Sequence, residues 1–134
     1  LPTMWRIWRR ERTQRVLTAV YDLGLCAPDF SFSAFLTAAE AYRRKNQFER
    51  MDIVFQPGPM HGFRDDDPMP SVDGLKDMLW RICVAQARKH PAVRNIEILG
   101  ERRKVPADTF PVGYAEDAPK IYQADQPQPL EKTS

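Results

Sequence analysis

Glycine, cysteine and histidine are all scarce in this chain, and each shortage removes a class of chemistry. Only 6 glycines occur in 134 residues, and none stands in a G-x-G-x-x-G or G-x-x-x-x-G-K-[ST] arrangement. After the first apolar run the sequence reads Asp22-Leu23-Gly24-Leu25-Cys26-Ala27-Pro28-Asp29, with a single glycine. Both phosphate-binding fingerprints need glycines that let backbone amides approach the ligand. A redox Rossmann enzyme and a P-loop nucleotidase are therefore disfavoured. The 2 cysteines, Cys26 and Cys83, and the 2 histidines, His61 and His90, form no ligand-spaced set. That argues against zinc and against thioredoxin-like redox chemistry. Both thiols read as reduced and packed, which suits a cytosolic protein. No apolar run reaches the roughly 20 residues that span a bilayer, and no signal peptide pattern is visible. The first residue is Leu1 rather than Met, so the chain reads as a processed product or as a piece of a longer protein.

Charge is balanced overall but not locally. Lys and Arg number 20 against 18 Asp and Glu, a formal net charge of +2, which gives no reason to expect nucleic acid as a partner. The first fifteen residues are different. Arg6, Arg9, Arg10, Arg12 and Arg15 stand against Glu11 alone, interleaved with Trp5, Ile7 and Trp8. Such a leader suits contact with an anionic membrane surface, through Arg6, Arg9 and Arg10 in particular. Equally, it suits a solvated segment whose tryptophans pack on the body. The localisation expected is cytoplasmic, with the inner membrane surface as the place the leader would rest.

What is present is a strand–helix alternation. Val16–Leu23 is a short apolar run closed by Gly24 and reads as a buried strand. Phe32, Phe35, Leu36, Ala39 and Tyr42 recur at steps of three and four, which predicts an amphipathic helix over Ser33–Gln47, with Asp29, Ser31 or Ser33 as its N-cap. Met51–Phe55 is the second strand, stopped by Pro57. Ser71 is a natural N-cap, and Val72, Leu75, Leu79, Ile82, Cys83 and Gln86 share one face of a second helix. That helix ends in Arg88, Lys89, His90 and Pro91. Asn95–Leu99, closed by Gly100, is the third strand. Prolines at 106, 111, 119, 127 and 129 argue against regular structure beyond it. The expected fold is α/β: a β-α-β-α-β Rossmann-like half with a parallel sheet, an incomplete piece of a two-lobed protein. Its divisions are a basic leader (1–15), the lobe (16–100) and a Pro-rich irregular extension or linker (101–134).

In such sheets ligands bind beyond the carboxyl ends of the strands, which directs attention to two loops. The first holds Asp22, Cys26 and Asp29. A carboxylate there can act as general base or hold a ligand hydroxyl, and a thiol can act as a nucleophile if a base stands near it. The plainer roles are strand-end capping for Asp22, helix capping for Asp29 and simple packing for Cys26. The second loop runs Pro57-Gly58-Pro59-Met60-His61-Gly62-Phe63-Arg64-Asp65-Asp66-Asp67. His61 can move a proton, and Arg64 can clamp a phosphate or carboxylate or simply pair with the aspartates. Asp65-Asp66-Asp67 contains an Asp-x-Asp, a spacing able to hold magnesium or manganese. The same string is common in turns ahead of proline, and a dedicated site needs more convergent ligands. No metal and no cofactor is assigned. His90 reads as a dipole-favoured surface residue at a helix end, and Trp80 as core or interface.

The blocks Tyr21-Asp22-Leu23, Pro28-Asp29-Phe30 and Val54-Phe55-Gln56-Pro57-Gly58-Pro59 with Gly62-Phe63-Arg64-Asp65-Asp66 resemble the N-terminal part of glycosyltransferase-like proteins of bacterial surface-polysaccharide gene clusters. The likeness covers roughly residues 15–118. It implies the first lobe of a two-lobed, metal-independent fold whose nucleotide-sugar site lies largely in the other lobe. It also implies sugar transfer from a nucleotide-sugar to a saccharide acceptor by the whole protein and not by this lobe alone. Placed on that frame, Asp22, Asp29 and His61 are the candidate catalytic residues, and Gly58, Arg64 and Asp65 the candidate substrate-binding ones. The rival expectation is a non-catalytic α/β binding or interaction module. A small cysteine-dependent hydrolase acting through Cys26 is a third.

Overall fold

The computed structural model describes residues 15–59, 61–64, 71–106 and 108–114. Four parallel strands form one sheet in the order β3-β2-β1-β4, with β1 at Val16–Asp22, β2 at Arg50–Gln56, β3 at Val93–Ile98 and β4 at Thr109–Phe110. The α/β class with a parallel sheet is thus as the alternation of periods predicts. β1 and β2 pair in register from Val16↔Arg50 to Asp22↔Gln56; in both, buried residues alternate with half-buried ones and run together at the carboxyl end, and each has a strand on either side. β3 is an edge strand and is half exposed along its length. A register shift opposite Met51/Asp52 and the Arg94–Asp52 ion pair blunt that edge against further pairing.

α1 (Ser31–Lys45) starts two residues earlier than the apolar period suggests, because Asp29 takes over its first amides. Asp29 Oδ1 accepts from the Ser31 backbone N–H at 2.9 Å and from its hydroxyl at 2.5 Å. The helix ends in a Schellman motif. Phe48 N donates to the Arg43 carbonyl and Gln47 N to that of Arg44, while Gln47 sits at φ 61°. Phe32, Phe35, Leu36 and Ala39 are buried as their spacing predicts. The rings of Phe32 and Phe35 both meet Tyr21 of β1 at 5.0 Å between centroids.

The second helical rod has three parts: α2 (Val72–Met78), a π-helical stretch over Leu79–Val84, and α3 (Ala85–Lys89). Ser71 Oγ accepts from Gly74 N at 3.1 Å, the N-cap its position implies. The π stretch alters the buried face. Leu75, Leu79 and Cys83 follow the expected line, but beyond them Val84 and Ala87 are the buried residues, and Gln86 is not. A wider i→i+5 turn shifts the face by about one residue, which a strict 3.6-residue period cannot anticipate. Gln86 instead accepts from Ser33 Oγ at 2.7 Å, tying this rod to α1. The two crossovers β1→β2 and β2→β3 step in the same direction, so both helical elements lie on one face of the sheet.

The lobe does not stop at Gly100. Prolines argue against regular structure there, yet Thr109 and Phe110 form a fourth strand against Thr18 and Ala19. Phe110 packs on Phe35 and Tyr42, with ring centroids 5.6 and 5.4 Å apart. Only two residues are needed, and Pro111 follows at the strand's end where no ladder bond is lost. The described residues of the link from β3 to β4 form no helix. It crosses the second face of the sheet as a strap, pinned where Gln56 accepts from Arg103 N at 2.9 Å and donates to Arg103 O at 2.8 Å.

Candidate functional site

The carboxyl ends of β1, β2 and β3 border a cleft of about 820 Å³. Leu23 comes from the end of β1, Pro57–Pro59 and His61–Phe63 from the loop after β2, and Ile98–Arg102 from the end of β3. Lys76, Leu79 and Trp80 of the second helical rod close its side. The position agrees with the expectation for an open parallel sheet.

The loop after β2 is shaped by its glycines. Gly58 and Gly62 form an isolated antiparallel bridge, and a Cβ on Gly58 would collide with the Phe63 carbonyl. Gly62 adopts φ 98°, a conformation open to glycine. The resulting tight loop buries Phe63 and leaves His61 exposed on the cleft wall. Gly58 therefore lines the cleft through its backbone, and its smallness is required by close approach to Phe63.

The other sequence-derived candidates divide. Asp22 is fully buried, and its carboxylate is committed to an internal network. Oδ1 accepts from Gly24 N at 2.8 Å and Arg102 Nη1 at 2.9 Å. Oδ2 accepts from Arg102 Nη2 at 2.7 Å and from the Tyr114 hydroxyl. A carboxylate offers about four lone-pair sites, and these bonds fill them, so Asp22 has no open position from which to receive a substrate proton. Its place is that of an anchor joining β1 to the strap and to the chain after β4. Its bond to Asp22 raises the Arg102 pKa, and burial, followed by its own hydrogen bond to Asp22, raises the pKa of Tyr114.

Asp29 holds the start of α1, and neither it nor Arg64 is among the described residues that line the cleft. Arg64 is half-buried and lies close enough to Cys26 to favour its thiolate. That influence loses to burial and to the Asp22 carboxylate, and the Cys26 thiol is pushed up to about 12. A nucleophilic thiol needs the opposite shift, so the structure gives the cysteine-hydrolase reading no support. Cys83, buried beneath Asp29, is likewise pushed up to about 12. Asp65 and its neighbours Asp66 and Asp67 lie outside the described residues, as do Arg6, Arg9 and Arg10. Among the described residues no group of three or more His, Cys, Asp and Glu side chains is placed to hold a metal. None of the described helices is long and apolar enough to cross a membrane.

Of the named candidates, then, the cleft gathers Gly58 and His61. It adds four side chains that spacing does not reveal: Lys76, Trp80, Glu101 and Arg102. Trp80 is 53% exposed, so of the core and interface positions expected from sequence the core one does not hold. It sits in the π-helical stretch, a feature often associated with functional positions. Arg102 carries a faint signal in the basic run Arg102-Arg103-Lys104 directly after a strand end. No family model, no curated protein and no solved structure matches this chain.

Proposed function

We propose that this chain is the acceptor-side α/β lobe of a glycosyltransferase-like protein, and that a saccharide lies in the cleft beyond β1, β2 and β3. One observation carries the reading. An exposed tryptophan stands in the wall of a large cleft at the carboxyl ends of parallel strands, with His61, Lys76 and Glu101 around it. A sugar ring has an apolar C–H face and a rim of hydroxyls. An aromatic plate with a few polar groups matches both. His61 and Lys76 would orient hydroxyls or a diphosphate, and Glu101 would accept from a hydroxyl. The nucleotide-sugar donor is assigned to a second lobe, in line with the resemblance of the Pro57–Asp66 block.

The test is the indole N–H resonance of Trp80, followed while neutral and acidic di- to tetrasaccharides are added. A saturable shift that disappears in Trp80→Ala is the expected result. No shift from any saccharide up to about 10 mM, an affinity too weak to position an acceptor, would sink the proposal.

A second reading, a non-catalytic interaction module, draws on the pairing of exposed Trp80 with exposed Ile98 at the edge of the sheet. The two separate in the whole protein. His61→Ala abolishes sugar transfer under the first, whereas under the second it leaves any catalysis intact and weakens association.

A further inference from the structure

The end of the lobe opposite the cleft concentrates positive charge that the near-neutral total conceals. In a parallel α/β unit each helix runs back against the strands, so helix carboxyl ends and strand amino ends share one pole. Here that pole holds Arg43, Arg44 and Lys45 from the last turn of α1 and Arg88 and Lys89 from the last turn of α3. Arg15 precedes β1 and Arg50 begins β2.

Direct contacts tie these parts together. Arg15 Nη1 donates to Asn46 O at 2.7 Å and stacks 4.3 Å from the Phe48 ring centroid. Arg43 Nη1 reaches the Phe48 carbonyl at 2.8 Å, and Arg50 donates to the Ala92 and Val93 carbonyls at 3.3 Å each. His90 Nε2 stands 3.6 Å from Glu40 Oε1, linking the two helix ends. Against these seven cations stand, among the described residues, the carboxylates Glu40, Glu49, Asp52 and Asp108; Glu40 pairs with Arg43 at 2.7 Å and Asp52 with an eighth cation, Arg94, at 2.8 Å. Arg15, Arg44, Lys45, Arg88 and Lys89 are exposed, and none has a carboxylate partner among the described residues.

Helix dipoles account for cations at each helix end separately. They do not account for the exposed Arg15 ahead of β1, nor for the excess of cations over carboxylates at this pole. The chain that joins the body at this pole, through Arg15, carries Trp5-Arg6-Ile7-Trp8-Arg9-Arg10 upstream of it. Tryptophan and arginine in alternation suit the boundary between headgroups and acyl chains, where a nucleic-acid duplex offers no apolar layer.

We infer that the folded body docks on an anionic lipid bilayer through this basic pole, which turns the cleft away from the membrane. The inference is independent of what the cleft binds. Each lysine or arginine near an anionic surface strengthens binding by roughly fivefold, and salt screens the effect.

The experiment is flotation of the full chain with vesicles of equal phosphatidylglycerol and phosphatidylcholine, and with phosphatidylcholine alone. Partition onto the anionic vesicles should be at least about tenfold stronger and should be lost near 0.5 M salt. The pairs Arg44→Glu/Lys45→Glu and Arg88→Glu/Lys89→Glu, each with the first fourteen residues intact and an unchanged circular dichroism spectrum, should each lower it by about tenfold or more. If a reversed pair fails to fold, Arg44→Gln/Lys45→Gln should still lower it severalfold. Equal partition onto both vesicle types would overturn the inference. So would anionic binding indifferent to the folded-body substitutions, or release from vesicles by duplex DNA at equal charge concentration.

Discussion

The guanidinium of Arg102 grips both oxygens of Asp22, at 2.9 and 2.7 Å, across eighty residues of sequence. Asp22 is wholly buried, while the Arg102 side chain is 38% exposed. One partner can therefore be reached by water and the other cannot. Removing the arginine leaves a carboxylate in the interior without its counter-charge, the costly half of a buried ion pair. Arg102→Met should lower stability by about 3 kcal/mol, the low end of the range for such losses because the pair is partly solvated. Asp22→Asn with Arg102→Met should cost less than the two single changes added together. Urea unfolding of the four proteins measures both. A loss under about 0.5 kcal/mol for Arg102→Met would show the pair to be incidental.

Gln47 occupies a left-handed conformation at φ 61° where α1 ends. A side chain there crowds the following carbonyl, at a cost of about 1 kcal/mol, and glycine carries no such penalty. Gln47→Gly should therefore stabilise the lobe by about 0.5–1 kcal/mol, the Schellman bonds from Phe48 and Gln47 being made by the backbone. Thermal melts decide it, and a fall in melting temperature would contradict the assignment of strain.

The two thiols set a direction for alkaline stability. Burial is the first cause in both, followed by the Asp22 carboxylate for Cys26 and by Asp29 for Cys83, and each is raised from 9.0 to about 12. The neutral thiol is thus favoured in the folded state. Their contribution is whole below about pH 9 and is lost as pH climbs from there toward 12, because the unfolded chain ionises first. Above pH 9 the wild type should lose about 1 kcal/mol per thiol for each pH unit. A Cys26→Ala/Cys83→Ala protein should be spared that part of the decline. Urea midpoints at pH 7.5 and 10 for both proteins give the comparison, and parallel declines would refute it.

Much of this architecture was legible because burial writes itself into spacing. Phe32, Phe35, Leu36 and Ala39 mark α1, and the apolar runs mark β1 and β2, since both strands have neighbours on each side. The second helix was legible up to Cys83, where the π-helical turn breaks the period. β4 was not legible, because two residues carry no periodicity and prolines surround them. The site was harder still. Gly58 and His61 announce themselves by turn chemistry, but Asp22 looks the same in sequence whether it serves a ligand or an arginine. Its partners stand 80 and 92 residues away, and no local pattern encodes a distant partner.

The strand order has a consequence for synthesis. β1 leaves the ribosome first of the four, yet its second neighbour, β4, is the last to be made. At elongation rates of roughly 5–20 residues per second, Thr18 and Ala19 wait several seconds for the strand that pairs with them on that side. Until Thr109 and Phe110 arrive, that edge is open to any extended chain nearby, a second nascent copy included. The shortest strand in the sheet thus covers the stretch of β1 that waits longest for a partner.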